Sequence, residues 1–498
     1  MAKAPRDRPF SVTEADIEAL RASLGEAGFD EAGVSGILGV PSVAALRDLP
    51  AELALERSGG DTPLAALVRL FVIGVPVSEQ AAGRALGKGA LRRLEVGGIL
   101  GKSRGGFLGS VKLSPIDGLV LAFDRTFEGE TEEAADFVMG PSDSARRLSK
   151  LTVERQVDDA LDLGTGCGYL ALLAARHAKR VVATDINERA KAFTELNAAL
   201  NGVRNVEAVA GDLFAPVARR RFDLVVSNPP FVIAPSSSLV YLHGGMESDA
   251  FCRRIVSEAP AVLRPGGLLQ MLFAWAELDE GEWHERLEAW FEGTGCDAWV
   301  LRSSSTERSE YARGWMNVGR VTTAKDESAR FAEWMRYFEK AKIASVGGGL
   351  LTMRKREGRT WFRAFDAPAQ LVGSCGAQIE ARLDALSALD GLEGDPDLLK
   401  AVFALSDDTR LLIECAPSPE GWAQQAARVR VMNGLAYDED IDSWVAELLA
   451  ACNGKRTLRE AVDAAAAKLD LGADEVPDET PDLVRQLVEE GFLVPKTA

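Results

Sequence analysis

Short apolar runs separated by helical stretches dominate the middle of the chain, between residues 155 and 355. The runs are four to six residues long, and glycines or acidic residues follow several of them. Runs of this length that alternate with helices predict parallel strands buried on both faces, as in an α/β sheet with helices on either side. The predicted strands cover residues 160–163, 181–185, 206–210, 222–227, 268–273, 298–302 and 350–354. The predicted helices cover residues 169–177, 248–262 and 281–292, with a helical insert at 325–342.

A glycine-rich turn joins the first predicted strand to the first of these helices, with glycines at positions 164, 166 and 168. Glycine lets the backbone turn sharply and approach a ligand closely, and the helix that follows presents free N–H groups to the same place. The same pattern is also found in ordinary tight turns between a strand and a helix. Further groups at neighbouring strand ends are therefore needed to indicate a ligand.

Acidic residues end the next two predicted strands. Asp185 follows the second strand, 21 residues after Gly164, where an acid is placed to bind both hydroxyls of a ribose. Asp212 follows the third strand, where a carboxylate can receive the amino group of an adenine. These strand ends predict a nucleotide-type cofactor site. The candidates for cofactor binding are Asp162, Gly164, Thr165, Gly166, Gly168, Asp185, Ile186, Asn187, Gly211, Asp212, Leu213 and Asn228.

The sequence Asn228-Pro229-Pro230-Phe231 directly follows the fourth predicted strand. An amide or nucleobase nitrogen is planar, and the Asn228 side-chain oxygen and the Pro229 carbonyl can each accept one of its N–H groups. Consecutive prolines hold these acceptors in place, and Phe231 can stack on the flat group. The alternative is a structural turn in which Phe231 belongs to the core. We take Asn228, Pro229, Pro230 and Phe231 as the candidate catalytic residues.

These motifs give residues 155–275 a resemblance to the class I S-adenosylmethionine-dependent methyltransferases. The branch with release-factor glutamine methyltransferases and with adenine or guanine amino methyltransferases of RNA is the most similar. The segments at 162–168, 185, 212 and 228–231 match the family's motifs, and 244–249 and 264–267 are similar to release-factor enzymes. The resemblance implies S-adenosylmethionine as cofactor and a Rossmann-like sheet of seven strands whose last strand is antiparallel. The glutamine enzymes usually have Tyr where this chain has Phe231.

The chain of 498 residues is too long for one hydrophobic core, and three domains are expected. We divide it into residues 1–118, a methyltransferase domain at 119–365 and an acidic module at 366–498. Helices at 64–73, 77–86 and 88–96, followed by short strands at 99–107 and 110–113, predict a winged-helix-like N-terminal module. The end of the chain, with Thr457 and Glu460 in a capping-box pattern and a helix at 481–490, predicts another. Ser236, Ser237 and Ser238 suggest a lid beside the catalytic loop.

The net charge of −18 is unevenly distributed. Residues 381–498 hold 24 acidic and 11 basic side chains, whereas residues 84–112 hold seven basic side chains and the single acid Glu95. The basic stretch can attract phosphates or can be an ordinary solvated surface. No apolar run is long enough to span a membrane, and the N-terminus has no signal-peptide pattern. Scattered cysteines favour the cytoplasm, and no Cys/His spacing suggests a metal.

Three functional hypotheses follow. The first is N-methylation of a planar nitrogen, a glutamine side-chain amide of a protein substrate. The second is the same reaction on an exocyclic amino group of adenine or guanine in RNA, with DNA as a weaker variant. The third is a non-catalytic scaffold that binds the cofactor and interacts with proteins through its two end modules. The sequence predicts no oligomeric state.

Overall fold

A computed structural model of the chain describes residues 10–125, 136–235, 246–318, 324–472 and 474–496. The lid suggested at Ser236, Ser237 and Ser238 lies outside these residues, as do positions 244 and 245 of the segment similar to release-factor enzymes. Within the described residues, no helix is both long and apolar enough to cross a membrane.

The N-terminal region consists of helices and two β-hairpins. Its helices are α1 (Glu14–Glu26), α2 (Glu31–Leu38), α3 (Ala51–Arg57), α4 (Pro63–Leu67), α5 (Glu79–Leu86) and α6 (Lys88–Val96), and a π-helical turn (Val68–Ile73) continues α4. The hairpins are formed by strands β1 (Leu100–Ser103) and β2 (Gly106–Gly109), and by β3 (Lys112–Ile116) and β4 (Leu119–Phe123). Three helices followed by a hairpin are the element order of the predicted winged-helix-like module.

The central region holds the predicted α/β sheet. Its strands are β5 (Val157–Leu163), β6 (Ala178–Asp185), β7 (Val206–Ala210), β8 (Phe222–Ser227), β9 (Leu263–Leu278), β10 (Cys296–Glu307), β11 (Ile343–Lys355) and β12 (Phe362–Asp366). Its helices are α7 (Asp143–Leu151), α8 (Tyr169–Ala174), α9 (Glu188–Leu200), α10 (Ala250–Glu258), α11 (Glu285–Phe291), α12 (Arg308–Trp315) and α13 (Ala324–Ala341).

The strand order of this sheet is β12-β10-β11-β9-β8-β5-β6-β7. Strand β11 is antiparallel to both of its neighbours, as expected for the last strand of the seven. The structure adds an eighth strand, because β12 pairs in parallel with the outer edge of β10. Its sequence, with two charged residues among five, gave no sign of a strand.

Alternate residues along the strands enter two hydrophobic cores on opposite faces of the sheet. In β8, Leu224 and Val226 pack into one core and Val225 packs into the other. The first core includes side chains of α7, α8 and α9, and the second includes those of α10 and α11. Burial on both faces explains why these strands are continuous apolar runs in the sequence.

Two asparagines attach the N-terminal region to the sheet: Asn197, buried in α9, and the half-buried Asn201, which ends that helix. Asn197 accepts from the backbone N–H of Ala122 at 2.7 Å and donates to the Ala122 carbonyl at 2.9 Å. Asn201 makes the same pair of bonds with Val120, at 2.9 and 2.8 Å. The amide side chains thereby take the place of a neighbouring strand for β4. The predicted domain boundary at residue 118 falls within the β3–β4 hairpin, and the one at 365 within β12; the division stays a prediction.

The described part of the C-terminal region contains three small sheets and five helices. The helices are α14 (Gly376–Asp390), α15 (Asp395–Lys400), α16 (Ser443–Ala451), α17 (Leu458–Lys468) and α18 (Thr480–Glu489). The strands are β13 (Leu371–Val372), β14 (Val402–Leu405), β15 (Thr409–Ser418), β16 (Gly421–Val431), β17 (Gly434–Leu435), β18 (Asp438–Ile441), β19 (Asn453–Thr457) and β20 (Leu493–Lys496). They form the sheets β13-β17, β19-β14-β20 and β15-β16-β18. The predicted capping box is confirmed, since Thr457 and Glu460 each bond the other's backbone N–H at the start of α17. The long β15–β16 hairpin was not predicted.

Candidate functional site

The carboxyl ends of β5, β6, β7 and β8 meet at one edge of the sheet, and hydrogen bonds join them there. The N–H groups of Gly164 and Thr165 donate to the Thr184 carbonyl at 2.8 and 2.9 Å. The Ser227 hydroxyl donates to the Leu163 carbonyl at 2.8 Å, and the Gly211 N–H donates to the Asp185 carbonyl at 2.8 Å. The glycine turn, the two acids and the Asn-Pro-Pro-Phe sequence are thereby brought together, as the sequence predicted.

The glycine turn needs its glycines for their backbone conformation. Gly164, Gly166 and Gly168 have φ angles of 75°, 56° and 85°, in a region that other residues rarely adopt. At Gly168 a Cβ would also come within 3.0 Å of the Thr194 side chain. Gly164, Thr165 and Gly166 line the cavity above the strand ends, whereas Gly168 lies behind it at the start of α8.

Asp162 lies beneath the turn and does not line the cavity. One of its carboxylate oxygens accepts from the Thr165 hydroxyl at 2.6 Å and from the Ala171 N–H at 2.9 Å. The other oxygen is buried without a partner among the described residues. Because the side chain is only 1% exposed, burial raises the pKa of Asp162 to about 7. The structure therefore gives Asp162 a supporting position under the turn.

Asp185 faces the cavity and also holds the glycine turn. Its two carboxylate oxygens accept from the Gly166 N–H and the Asn187 N–H, each at 2.9 Å. Burial raises the pKa of this carboxyl, while the hydrogen bonds oppose the rise. Each oxygen keeps a further lone pair for a ligand hydroxyl. Beside it, the Ile186 side chain is 62% exposed and lines the same cavity, as does Asn187, so an apolar surface is available to a flat ring.

Asp212 lines the cavity together with Gly211 and Leu213, but its carboxylate already has a partner. Arg254 of α10 donates to it at 2.7 Å. The Leu213 backbone has a φ of 43°, which is uncommon for a residue with a side chain. The acid is thus at the predicted strand end, and Arg254 shares the site that the sequence assigned to the adenine amino group.

Asn228 lies at the end of β8, and the nitrogen and oxygen of its side-chain amide differ in their hydrogen bonds. Its amide nitrogen donates to the Ser144 hydroxyl at 3.1 Å and to the Ser142 hydroxyl at 3.4 Å. Ser142 in turn caps α7 by accepting from the Ala145 N–H at 3.1 Å. The Asn228 side-chain oxygen is buried and has no hydrogen-bond partner among the described residues. A buried acceptor without a donor is unfavourable unless a ligand supplies one.

The remaining residues of this sequence differ in position. Pro230 lines the cavity beside Asn228, whereas Pro229 and Phe231 do not. Pro229 is buried, and the half-buried Phe231 ring packs against the hydrophobic cores. Tyr311 of α12 supports the loop, because its hydroxyl accepts from the Ile233 N–H at 3.1 Å. The position of Phe231 agrees with the alternative of a core residue, and stacking on a substrate stays a prediction.

The cavity has a volume of about 440 Å³, within the range of small-molecule sites. Several wall residues were not among the sequence candidates, and Arg254 and Phe251 of α10 are two of them. Residues 137–142 also line the cavity, and they belong to the segment 137–144, which by resemblance to related enzymes is expected to close over the cofactor. The other wall residues, which the sequence did not mark, are Ala145, Cys167, Tyr169, Leu170, Thr184 and Ala190. A larger cavity of about 590 Å³ lies beyond β12, against the C-terminal region, and five carboxylates line it. Because none of the motif-bearing strand ends reaches the larger cavity, the smaller one is the candidate site.

The basic stretch at residues 84–112 is partly neutralised in the fold. Arg84 pairs with Asp61, Arg93 with Asp16 at 2.5 Å, and Lys102 lies 3.9 Å from Glu95. Burial lowers the pKa of Lys112. Lys88, Arg92 and Arg104 remain exposed, with no ion pair to any described residue. Among all residues that the structure describes, no group of three or more His, Cys, Asp or Glu residues could hold a metal ion.

Comparisons with known proteins agree with the site. A family model described as "Methyltransferase small domain" matches residues 136–280. Two further models, each described as a domain of unknown function (DUF7059 and DUF7782), match residues 26–109 and 381–495. The release factor glutamine methyltransferase of Xylella fastidiosa (strain 9a5c) is 38% identical over 129 residues, which are 23% of this chain and 46% of that enzyme.

Two other relatives match a similar share of the chain. A protein of Methanocaldococcus jannaschii, provisionally named a protein N5-glutamine methyltransferase, is 32% identical over 142 residues, which are 27% of this chain and 71% of that protein. Ribosomal RNA small subunit methyltransferase C of Alcanivorax borkumensis is 34% identical over 124 residues, or 25% of this chain and 34% of that enzyme. The chain spans about half the length of the release-factor enzyme. Since the M. jannaschii relative is matched over most of its length and residues 136–280 contain the strand ends that form the cavity, the chain belongs to the class I S-adenosylmethionine-dependent methyltransferases.

Proposed function

We propose that the protein transfers a methyl group from S-adenosylmethionine to the side-chain amide nitrogen of a glutamine in a protein substrate. The observation that carries the proposal is the Asn228 side chain. Its amide nitrogen is held by Ser142 and Ser144, and its oxygen is buried at the cavity with no donor among the described residues. An N–H of a planar nitrogen is the group that such an acceptor lacks.

The cavity fits the cofactor of the family. Asp185 offers carboxylate lone pairs for two ribose hydroxyls, and the exposed Ile186 offers an apolar face for the adenine. Glycines have no Cβ, so the ligand can contact the backbone of the glycine turn directly. We assign cofactor binding to the cavity-lining candidates and a supporting role to Asp162 and Gly168. S-adenosylmethionine supplies a methyl group on a positively charged sulfur, which makes that methyl open to attack by a nitrogen lone pair.

The residues of the chain then orient the nitrogen. Its lone pair is delocalised into the carbonyl of the amide, so the nitrogen is a weak nucleophile. Acceptors at Asn228 and at the Pro229 carbonyl stabilise positive charge that develops on the N–H groups as the new bond forms. The proton leaves after transfer, so no general base is needed beforehand. The rigid prolines keep the acceptors in place before the substrate binds.

The choice of a protein substrate rests on the relatives. Two of the three are named for glutamine methylation, and another relative, from Bradyrhizobium diazoefficiens, is named ribosomal protein uL3 glutamine methyltransferase. The second candidate function is methylation of an exocyclic amino group in RNA, which the relative named for ribosomal RNA favours. Against it, ion pairs and burial leave three of the seven basic side chains of the 84–112 stretch free and exposed. The cytoplasmic location, drawn from cysteine usage, stays a proposal.

Methyl transfer into a lysate separates these functions. The purified chain and radiolabelled S-adenosylmethionine are added to lysate of a strain that lacks the gene, and the products are divided between RNase and protease digestion. We expect protease-sensitive label that acid hydrolysis releases as methylamine, the product of an N-methylated glutamine amide. Label removed by RNase would overturn the protein substrate, and Arg92→Glu would then be expected to weaken transfer. No label above that of Asn228→Ala would overturn methyl transfer itself.

A further inference from the structure

The hairpin of β15 and β16 projects from the C-terminal region as an arm. Strand β18 pairs with β16 over residues 427–430, and beyond that point the arm has two strands. Its apolar side chains are largely exposed: Leu411 by 50%, Leu412 by 41%, Ile413 by 53%, and Trp422 near the tip by 76%. Large apolar side chains clustered on a surface in this way mark interaction sites.

The outer edge of β15 is open for pairing. Strand β15 is the end member of the sheet β15-β16-β18, and no described strand pairs with its other side. The one irregularity of the hairpin inserts Gln425 into β16, opposite the step from Glu414 to Cys415, so β15 itself stays regular. Edge strands of soluble proteins usually carry lysine, proline or a bulge that prevents pairing. Residues 411–413 of β15 have none of these and no charged side chain.

We propose that β15 pairs antiparallel with β15 of a second copy of this chain. The sequence Arg410-Leu411-Leu412-Ile413-Glu414 is self-complementary about its central residue. With Leu412 on the two-fold axis, Leu411 lies opposite Ile413 of the second copy, and Arg410 lies opposite Glu414. A two-fold interface requires such self-complementarity, because the same surface forms both sides.

The two charges at the ends of this segment support that register. The Arg410 guanidinium donates only to the carbonyls of Asp407 and Thr409, and neither Arg410 nor Glu414 has an ion pair with a described residue. Along one strand they are about 13 Å apart, which is too far for them to pair with each other. Across the proposed axis they become directly opposite, and the contact occurs twice in each dimer.

Charge also favours a second copy at this place. The chain carries a net charge of −18, and two copies repel each other over most of their surfaces. Residues 409–431 hold two acidic and three basic side chains, unlike the acidic region around them. Arg428 and Arg430 of β16 already pair with Asp440 and Asp438 of β18. Strand β15 itself holds one basic and one acidic side chain, Arg410 and Glu414, so the edge proposed to pair carries no net charge.

Sedimentation velocity of the full chain at concentrations from about 1 µM to about 100 µM tests the proposal. Dissociation constants of small interfaces lie in this range. We expect a concentration-dependent species of twice the 53.4 kDa mass of the chain. Arg410→Glu and Glu414→Arg should each weaken association about ten-fold or more, because like charges then face each other twice. The double variant Arg410→Glu/Glu414→Arg should restore it, since opposite charges face each other again.

Glu420→Arg is the matched control, because it makes the same change of charge in the turn between β15 and β16, outside the proposed pairing. It should associate like the wild type. Thermal unfolding checks that each variant folds. A chain that stays monomeric over the whole range overturns the proposal. So does a dimer that both single charge variants leave intact, or one that the double variant fails to restore.

Discussion

Strands β8 and β15 have similar apolar sequences and opposite environments. Leu224, Val225 and Val226 of β8 are 0–1% exposed, whereas Leu411, Leu412 and Ile413 of β15 are 41–53% exposed. Strand β8 has parallel neighbours on both sides and helices on both faces; β15 has one neighbour and extends beyond the body of its module. An apolar run thus predicts a strand, but its partners decide whether the strand is buried or available for contact.

We expect the two strands to differ in function as they differ in burial. The end of β8 fixes Asn228 at the cavity, so changes there should alter methyl transfer. The open edge of β15 bears no cavity residue, so changes there should alter assembly. Substitutions in the two regions can therefore test the contrast, and the expected effects differ in size.

Asn228→Ala should have the largest effect. It removes the oxygen that we propose accepts from the substrate nitrogen, and loss of one such group lowers kcat by about 10²- to 10³-fold. Cofactor affinity, measured by calorimetry, should change little. Asn433→Ala, at an exposed asparagine of the C-terminal region, is the matched control and should keep wild-type turnover. Substantial turnover by Asn228→Ala would show that the end of β8 does not carry the chemistry.

Asp185→Ala should weaken cofactor binding, by about 10- to 100-fold, because hydrogen bonds to a carboxylate are among the stronger ones. Asp212→Ala offers a comparison within the same cavity. Since Arg254 already pairs with Asp212, we expect a smaller loss of affinity there. Calorimetric titration with the cofactor measures both, and equal losses would contradict the different positions of the two acids.

The strand ends were predictable because each combines a buried strand with a functional group. Strands β7 and β8 have the bounds that their sequences predicted, and β5 and β6 begin three residues earlier. Four of the proposed cofactor residues lie directly after these strands, where a backbone turn and an acid are visible in the sequence itself.

Other parts of the site left no local signal. Strand β11 is much longer than the predicted 350–354. The prediction began only after Gly347, Gly348 and Gly349, which lie inside the strand. Glycines normally argue against a strand, but here a Cβ at Gly347 would come within 2.3 Å of the buried Trp275 ring. Ser142 and Ser144 bond Asn228 from 86 and 84 residues away, which only the folded chain shows. Because most side chains of the arm are exposed, its sequence offers no contrast between buried and exposed positions from which its strands could be predicted.

Asp162→Asn should change how stability depends on pH. The pKa of Asp162 is raised to about 7 in the folded protein, from 3.8, and a carboxyl with a raised folded pKa favours folding at low pH. That contribution is complete below about pH 4 and is lost as the pH rises to about 7. Relative to the variant, the wild type should therefore lose about 2 kcal/mol of unfolding free energy between pH 5 and pH 8.

Urea unfolding followed by tryptophan fluorescence suits this measurement, because Trp275 and Trp299 are buried in the same sheet. A difference between wild type and variant that does not vary with pH would show that the Asp162 carboxyl stays charged under the glycine turn. Water would then reach the carboxylate at the end of β5, although the strand itself is buried.

Ser144→Ala should have a smaller effect, since the substituted group does not touch substrate. It removes the 3.1 Å hydrogen bond that orients Asn228, and a single hydrogen bond of this kind contributes about 1 kcal/mol, or roughly a five-fold change in kcat. KM for the cofactor should be unchanged. Ser144→Thr keeps the hydroxyl and should restore kcat, whereas equal losses in both variants would assign Ser144 a packing role.

Leu412→Lys should have the smallest effect on the cavity and a large one on assembly. It places two lysines against each other on the proposed two-fold axis, where like charges directly opposite destabilise a strand pair. The side chain is 41% exposed and lines no part of the cofactor cavity, so cofactor affinity should stay within about two-fold of the wild type, below the effect of losing one hydrogen bond. A loss of affinity comparable to that of Asp185→Ala would mean that the arm and the cavity are coupled, and the contrast between a buried catalytic strand and an exposed assembling one would fail.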